Sequence, residues 1–238
     1  MQKQNLNPDP ERIRKMFAQV AVRYDKANSV LSVGIHHLWR RKVVSMSGVC
    51  AGDKILDCAT GTGDLAIEFK KKVGPSGTVI GTDFCPEMLA TAPKKAKDLG
   101  LDVKFETANV MALPYADDEF DISSISFGIR NVADPAKGLA EMARVTRQGG
   151  SVLVLEFGQV HIPGLKNLYS FYSEKVLPLI GGWVTGQKEA YQYLQKSSAN
   201  FPCRQEFVDL ALQTGKFSAV TWTPLTGGVA YIYKAVVK

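Results

Sequence analysis

Between residues 54 and 158, apolar runs typical of buried strands alternate with segments whose apolar residues recur at helical spacing. The runs predicted as strands are KILDCA, TVIGTD, VKFETA, FDISSISF and SVLVLEFG, which begin at residues 54, 78, 103, 120 and 151. The helices are predicted from about Gly63 to Val73, from Pro86 to about Leu99, and from Asp134-Pro135 to Gly149-Gly150. This alternation indicates a parallel sheet covered by helices.

The pattern changes on either side of this region. Residues 160–200 carry aromatics at helical spacing and indicate a helical insertion, and residues 11–48 indicate helices laid over the sheet. A helix near Gln205–Thr214 precedes FSAVTWTPL and VAYIYKAVV, which flank Gly227-Gly228 and predict an antiparallel pair. We therefore expect one α/β domain over residues 1–238: a mostly parallel seven-stranded sheet with an antiparallel final strand, a helical cover over 1–50 and a helical insertion or lid over 160–200.

Composition narrows the class of protein. The 238 residues are 45% hydrophobic, and the net charge of +6 fits nucleic acid or an anionic membrane surface, although scattered basic residues equally fit an ordinary solvated surface. The four cysteines show no metal-like spacing, so reduced structural thiols and no metal site are expected. The N-terminus lacks a signal-peptide core, and no apolar run is as long as a membrane span. These features predict a cytoplasmic protein.

The stretch ILDCATGTGDL contains the clearest candidate binding site. Gly61-Thr62-Gly63-Asp64-Leu65-Ala66 satisfies G-x-G-x-x-G/A, and Asp83 lies 20 residues after Gly63. Glycines let the backbone approach a ligand, and an acid that ends the second strand can accept hydrogen bonds from ribose hydroxyls. The same spacing matches the NAD fingerprint, so an NAD(P)-dependent oxidoreductase is one interpretation.

Three further positions favour S-adenosylmethionine over a dinucleotide. Asp57 lies directly before the loop, where a carboxylate suits an ammonium and sulfonium better than a pyrophosphate. Asn109, followed by Val110, comes after the third strand, where an adenine edge would fall, and Ser126 ends the fourth strand beside the expected crevice. Each has a plainer explanation, since Asp57 could cap the loop and Asn109 could belong to a turn. Together they favour a methyltransferase.

A resemblance to a known family adds to this interpretation. The glycine loop and ALPYADDEFD are similar to class I S-adenosylmethionine methyltransferases, which have a Rossmann-like fold. YDKANSVLSVGIHHLWRRK, SFGIRNVAD, LVLEF and SFYSEKVLPLIGG closely resemble the quinone-biosynthesis C-methyltransferases over nearly the whole chain. The resemblance implies methyl transfer to a ring carbon of demethylmenaquinol, or of 2-polyprenyl-6-methoxy-1,4-benzoquinol in ubiquinone biosynthesis. It also implies cofactor contacts at Thr62, Asp83, Asn109-Val110 and Ser126, with Val110 standing where alanine is common.

The candidate catalytic residues follow from this chemistry. Arg130, in FGIRN, stays protonated, so it would lower the pKa of a phenol or orient a water rather than remove a proton. It could instead pair with Asp134 or Glu156. Asn131 could hold the quinol oxygen or cap a loop. His36 and Glu156 are candidate bases, and each has a structural alternative: a packed histidine and an ion pair.

Tyr24 and Asp25 lie upstream of His36, and Asp25 could cap a helix.

The apolar and aromatic residues of the helical insertion predict a contact with the membrane, where a prenylated hydroquinone resides. Tyr and Trp suit an interface, and the positive charge suits anionic headgroups. The apolar lip is predicted from Leu168, Tyr169, Phe171, Tyr172, Val176, Leu177, Leu179, Ile180 and Trp183. The same residues could pack a lid or a contact in a homodimer or a quinone-biosynthesis complex. No nucleic-acid partner is expected, because FGIRN lacks the Asn/Asp-Pro-Pro-aromatic loop of amino-group base methyltransferases. The choice between naphthoquinol and benzoquinol stays open, as does a different small-molecule acceptor.

Overall fold

The computed structural model describes residues 9–160 and 162–238, apart from the side chains of residues 165, 166, 168 and 184. The strands are β1 (Lys54–Cys58), β2 (Thr78–Asp83), β3 (Lys104–Thr107), β4 (Phe120–Ser126), β5 (Thr146–Phe157), β6 (Phe217–Leu225) and β7 (Ala230–Val237). The helices are α1 (Pro10–Val20), α2 (Tyr24–Leu31), α3 (Ile35–Ser47), α4 (Asp64–Val73), α5 (Pro86–Leu89), α6 (Ala92–Asp98), α7 (Pro135–Val145), α8 (Leu165–Phe171), α9 (Leu177–Thr185), α10 (Lys188–Asn200) and α11 (Gln205–Gln213).

The seven strands form one sheet in the order β3-β2-β1-β4-β5-β7-β6. Neighbouring strands from β3 to β5 are parallel, and β7 is antiparallel to both β5 and β6. The predicted fold class is therefore confirmed. The order reverses between β1 and β4, and ligands of open α/β sheets bind at such a point, outside the carboxyl ends of the strands.

Alternate residues of the central strands pack into two separate apolar cores, one on each face of the sheet. Leu56 of β1 faces α7 and α11, where it joins a buried cluster with Met142 and Phe207. Its neighbour Ile55 faces the opposite layer and joins Trp39 of α3 and Phe69 of α4. Because both faces of β5 are covered, its residues from Ser151 to Glu156 are buried in succession, as its Val- and Leu-rich sequence indicated.

Two predicted helix boundaries are wrong. The helix expected from Pro86 to about Leu99 is broken into α5 and α6, because Pro93 has no N–H to donate to Leu89 and its ring crowds that carbonyl. The helix expected to reach Gly149-Gly150 ends at Val145. Thr146 is already extended and pairs with Phe120, and the next β4 residue in register, Ile122, pairs with Ser151. Residues 147–150 therefore form a bulge within β5.

The added helices contact each other above the sheet. α1 begins at Pro10 behind Asp9, whose carboxylate accepts the N–H of Glu11 at 3.1 Å. α2 packs against α9, and the Tyr172 hydroxyl donates to the carbonyl of Leu31 at 2.5 Å. Residues 1–8 of the predicted cover lie outside the described residues, and the single-domain organisation stays a prediction. None of the described helices combines the length and apolar character that crossing a bilayer requires.

Candidate active site

The site lies at the carboxyl edge of the sheet, where β1 and β4 end side by side. Two residues there, Ala59 after β1 and Phe127 after β4, have positive φ angles of 47° and 56°. Residues other than glycine rarely adopt this backbone conformation, and such strain concentrates at functional sites. The backbone therefore turns sharply at the two strand ends that flank the reversal in strand order.

The glycine loop is held against β2 by one carboxylate. Asp83 Oδ2 accepts the N–H of Gly61 at 2.8 Å, and Oδ1 accepts the N–H of Cys85 at 2.9 Å. Gly63 has a φ of 84°, and a Cβ at this position would lie 2.9 Å from the ring of Phe105. Only glycine fits there, so the sequence G-x-G reflects close packing of the loop on the sheet.

A cavity of about 150 Å³ opens beside this loop. Five predicted cofactor contacts line it: Gly61, Asp83, Asn109, Val110 and Ser126. Asn109 is fixed by a hydrogen bond from the N–H of Met111 to its Oδ1 at 3.0 Å. Residues of α1, among them Ile13 and Phe17, cover the cavity from the other side. We call this space the cofactor cavity.

Asp57, Thr62 and Gly63 are not among the described residues that line this cavity. Asp57 lies behind the loop, where the Thr60 and Ser124 hydroxyls each donate to it at 2.6 Å. Burial is the main reason that the pKa of Asp57 is raised to about 6. Asp57 therefore holds the loop from behind through these hydroxyls, a structural role like the loop cap named above as its plainer explanation. Cofactor contacts by these three residues stay predictions.

Thr62 instead connects the loop to the N-terminal helices. Its hydroxyl donates to Asp25 Oδ1 at 2.5 Å, and Lys95 Nζ donates to Asp25 Oδ2 at 2.7 Å. Lys95 also pairs with Asp64, which pairs with Arg40 of α3 at 2.9 Å. Asp25 therefore does not cap α2; it joins α2 to the glycine loop and α6.

The cofactor cavity fits S-adenosylmethionine. Asp83 lies at the end of the second strand, and each of its oxygens keeps a further lone pair for a ribose hydroxyl. Within the described chain, Ser126 Oγ is buried without a hydrogen-bond partner, although buried hydroxyls normally have one. A nucleoside with polar edges would supply that missing partner.

A second, larger cavity of about 310 Å³ adjoins the first, and we call it the acceptor cavity. Phe17, Tyr24 and Phe127 line both cavities, so the two spaces meet at these side chains. The walls are largely aromatic: Trp39 and Phe157 flank Phe127, with ring centroids 6.1 and 4.4 Å from it. Such a cavity suits a flat apolar ring.

Arg130 brings a positive charge into this apolar space. Its side chain is 5% exposed and lines the acceptor cavity, with the guanidinium 5.3 Å from the centre of the Phe157 ring. Nη1 donates to Glu156 Oε1 and to the carbonyl of Phe127, both at 2.6 Å. In the part of the chain described, Nε has no partner. Arg130 is thus both ion-paired and left with a free donor.

The other predicted catalytic residues do not share one environment. Glu156 is 1% exposed and accepts from Arg130 and from the N–H of Phe157, so the geometry favours the ion pair over a base. Asn131 lines the cofactor cavity rather than the acceptor cavity, and its Oδ1 accepts from the Tyr193 hydroxyl at 3.1 Å. His36 lines the acceptor cavity and is buried.

Sequence reasoning missed several lining residues. Tyr24 was noted only as a neighbour of His36, and Phe127 only as the last residue of a predicted strand. Tyr193 of α10 and Phe17 of α1 carried no motif at all. The apolar face of the predicted N-terminal helix, which contains Phe17, was the available signal that this helix covers a binding site.

Comparison with known proteins identifies the family. Residues 5–237 match the sequence model of the ubiE/COQ5 methyltransferase family. The chain belongs to this family. A ubiquinone/menaquinone biosynthesis C-methyltransferase UbiE from Bdellovibrio bacteriovorus is 66% identical over 234 residues, which cover 98% of this chain and 99% of that relative. A UbiE from Geobacter sp. (strain M21) is 44% identical over 230 residues, covering 96% and 97%.

A solved structure supports the same fold. A SAM-dependent methyltransferase from Aquifex aeolicus superimposes with a TM-score of 0.62 at 18% identity, covering 97% of this chain and 99% of that one. The prediction of a SAM-dependent C-methyltransferase of quinone biosynthesis is confirmed, and so is its cofactor. The oxidoreductase interpretation is set aside.

Proposed function

We propose that the methyl acceptor is a prenylated hydroquinone whose ring lies in the acceptor cavity, next to the cofactor. Demethylmenaquinol and 2-polyprenyl-6-methoxy-1,4-benzoquinol are the two candidates, since the relatives are named for both menaquinone and ubiquinone biosynthesis. The observation that carries the proposal is Arg130, a guanidinium ion-paired to Glu156 that lines an aromatic cavity next to the cofactor cavity.

S-adenosylmethionine, when bound, supplies an electrophilic methyl group. Arg130 donates to a ring oxygen and stabilises the negative charge that develops there as the ring becomes nucleophilic. Glu156 holds the guanidinium in place through its 2.6 Å contact. Trp39, Phe127 and Phe157 exclude water from the ring, which strengthens the contact between Arg130 and the oxygen.

Asn131 and His36 complete the proposed site. Asn131 lines the cofactor cavity and accepts from the hydroxyl of Tyr193, which lines the acceptor cavity, so this hydrogen bond holds the two walls in a fixed relation. His36 contacts the acceptor ring or its hydroxyl. For the cofactor, Asp83 accepts from the ribose, Asn109 and Val110 contact the adenine, and Ser126 meets a polar edge.

Methyl transfer can be followed directly by mass spectrometry. Protein, methyl-labelled S-adenosylmethionine and a short-tailed demethylmenaquinol are incubated without oxygen, with the benzoquinol run in parallel. Label on a ring carbon of one product alone would assign the acceptor. Label on neither ring carbon, in protein that binds S-adenosylhomocysteine, would exclude this acceptor class.

We also propose that the protein reaches its acceptor by peripheral contact with the inner face of the membrane. Val33, which follows α2, lines the acceptor cavity and is 85% exposed, so it lies at the cavity mouth. Trp183 and Leu179 of α9, the helix that packs against α2, are 87% and 69% exposed. Tyr169, Tyr172 and Leu177 of the predicted lip line the cavity, while the Leu168 side chain lies outside the described residues.

The membrane contact is tested by co-sedimentation with anionic vesicles at low salt. Trp183→Glu should reduce binding by roughly 10- to 100-fold, because a buried aromatic contributes roughly 1.5–3 kcal/mol to an apolar contact. Leu99→Glu, which adds the same charge at an exposed leucine after α6, should not. Equal binding by both variants would contradict the proposal. A dimer that forms through Trp183 instead would appear as a change in sedimentation without vesicles.

A further inference from the structure

Helices α1 and α2 form one connected cover that belongs to the walls of both cavities. Only residues 21–23 separate the two helices, and the rings of Phe17 and Tyr24 meet edge to face with their centroids 6.4 Å apart. Ile13 and Phe17 of α1 line the cofactor cavity. Met16 of α1, together with Tyr24 and Asn28 of α2, lines the acceptor cavity. A movement of this cover would therefore change both binding sites at once.

Few buried side chains hold the cover to the rest of the protein. Among the described residues, α1 buries Val20 alone and α2 buries Ala27 alone, whereas α4, which lies directly on the sheet, buries six residues. The face of α1 that carries Ile13 and Phe17 opens onto the cofactor cavity. Elements with so few buried contacts open at a low cost in free energy. A ligand in the cofactor cavity adds contacts to this face and so favours the closed cover.

One carboxylate on α2 fastens the cover to the glycine loop. Asp25 accepts the hydroxyl of Thr62 at 2.5 Å and the ammonium of Lys95 at 2.7 Å. Lys95 also donates to Asp64, the first residue of α4. The side chains of Asp25 and Lys95 are 42% and 30% exposed, and neither lines a cavity in the described chain. Their contacts thus act on the position of α2 and not on a ligand.

We propose that Asp25 and Lys95 are positioning residues that hold α1 and α2 closed, so that binding of the cofactor closes the cover and completes the acceptor cavity. Both ligands then require the same closed cover, and each strengthens the binding of the other by the same factor. The closure concerns the cofactor alone, whereas its effect on the second ligand rests on the proposed acceptor class.

Hydrogen exchange followed by mass spectrometry tests the closure with S-adenosylhomocysteine alone. Within α2, Tyr24 is the one described residue that lines the cofactor cavity, so slower exchange over residues 26–31 reports closure and not contact with the ligand. We expect S-adenosylhomocysteine to slow exchange there about tenfold. Exchange in α11, which lines neither cavity among the described residues, should not change.

Anaerobic titration calorimetry tests the coupling between the two ligands. The short-tailed demethylmenaquinol should bind about tenfold more tightly when S-adenosylhomocysteine is present, which corresponds to 1.4 kcal/mol. S-adenosylhomocysteine should in turn bind about tenfold more tightly when the demethylmenaquinol is present, because the coupling is reciprocal.

Variants of two neighbouring lysines separate the latch from the fold. Lys95→Met should weaken S-adenosylhomocysteine and the demethylmenaquinol, each titrated alone, by the same factor of about four, since a smaller share of the protein is closed. It should also speed exchange over residues 26–31 about fourfold with S-adenosylhomocysteine bound. Lys95→Arg keeps the positive charge and should restore both affinities to within twofold. Lys94→Met is the matched control, because Lys94 is 79% exposed and pairs with Asp98 instead, and it should change neither affinity.

Three results would overturn the inference. The first is unchanged exchange over residues 26–31 in protein that binds S-adenosylhomocysteine, and the second is equal affinity for the demethylmenaquinol with and without it. The third is a loss in Lys95→Met that affects one ligand alone or that Lys94→Met shares. If S-adenosylhomocysteine slows exchange over residues 26–31 and no quinol binds, the closure is supported and the proposed acceptor class is wrong.

Discussion

The two cavities of this enzyme are built in different ways. The cofactor cavity is formed largely by residues at the carboxyl ends of four consecutive strands or just after them, at Gly61, Asp83, Asn109 and Ser126. The acceptor cavity is lined by side chains from helices far apart in the sequence, such as α2, α3 and α10, around Arg130. Backbone turns at strand ends leave a motif in the sequence, whereas packing between distant helices does not.

The largest effect is expected from a change on the acceptor side alone. Arg130→Lys keeps the charge opposite Glu156 but removes the Nε donor and the planar fork. We expect turnover to fall about 100-fold, as when one preorganised donor is lost, while the affinity for S-adenosylhomocysteine changes less than threefold. Steady-state kinetics and calorimetry measure the two effects. Arg144→Lys, a matched change beside Glu141 and away from both cavities, should leave turnover unaltered.

The complementary change is made on the cofactor side. Asp83→Ala removes the proposed acceptor for the ribose hydroxyls and frees the N–H groups of Gly61 and Cys85. Hydrogen bonds to charged groups contribute roughly 1.5–3 kcal/mol each, so the affinity for S-adenosylhomocysteine should fall about 100-fold by calorimetry. Asp98→Ala, an exposed carboxylate on α6, is the control. Unchanged affinity in Asp83→Ala would remove Asp83 from the site.

The buried carboxylate behind the loop should destabilise the protein at neutral pH. Burial raises the pKa of Asp57 from 3.8 to about 6, so between these values the folded state holds a proton that the unfolded state has lost. Stability from this group therefore falls as the pH rises from about 4 to about 6. Asp57→Asn should gain about 3 kcal/mol relative to the unaltered protein across that window, measured by urea unfolding. Asp209→Asn on the surface should show no such gain, and a flat difference for Asp57→Asn would contradict the assignment.

A smaller effect is expected where the two cavities meet. Tyr193→Phe removes the hydroxyl that donates to Asn131 at 3.1 Å. One neutral hydrogen bond is worth about 1 kcal/mol, so both the affinity for S-adenosylhomocysteine and the KM for the acceptor should change by about fivefold or less. Tyr115→Phe removes a similar hydroxyl, bonded to Glu106 instead, and should change neither. A change in only one of the two constants would mean that Asn131 serves one cavity alone.

The sequence was sufficient for the sheet and for much of the cofactor edge. Strand patterns placed β2 at its observed ends, and the spacing from Gly63 to Asp83 reflects a contact that the structure contains through Gly61. It could not show that Asp57 turns its carboxylate behind the loop, because which side of a strand end a side chain occupies depends on the hydroxyls of Thr60 and Ser124.

The acceptor cavity was less accessible to prediction. The motif FGIRN identified Arg130, but its pairing with Glu156 rather than Asp134 depends on the alignment of β4 with β5. The positive φ of Phe127, which brings its ring between the two cavities, has no signature in a residue that is not glycine.

We expect the methyl donor and an aromatic ring to lie side by side, where the two cavities meet at Phe17, Tyr24 and Phe127. Interligand nuclear Overhauser effects measure this proximity, with S-adenosylhomocysteine and a short-tailed naphthohydroquinone bound together without oxygen. Magnetisation should pass between the methylene protons next to the sulfur and the protons on the ring. If both ligands are bound at once and no transfer occurs, the two binding sites are not adjacent and the arrangement proposed for methyl transfer is wrong.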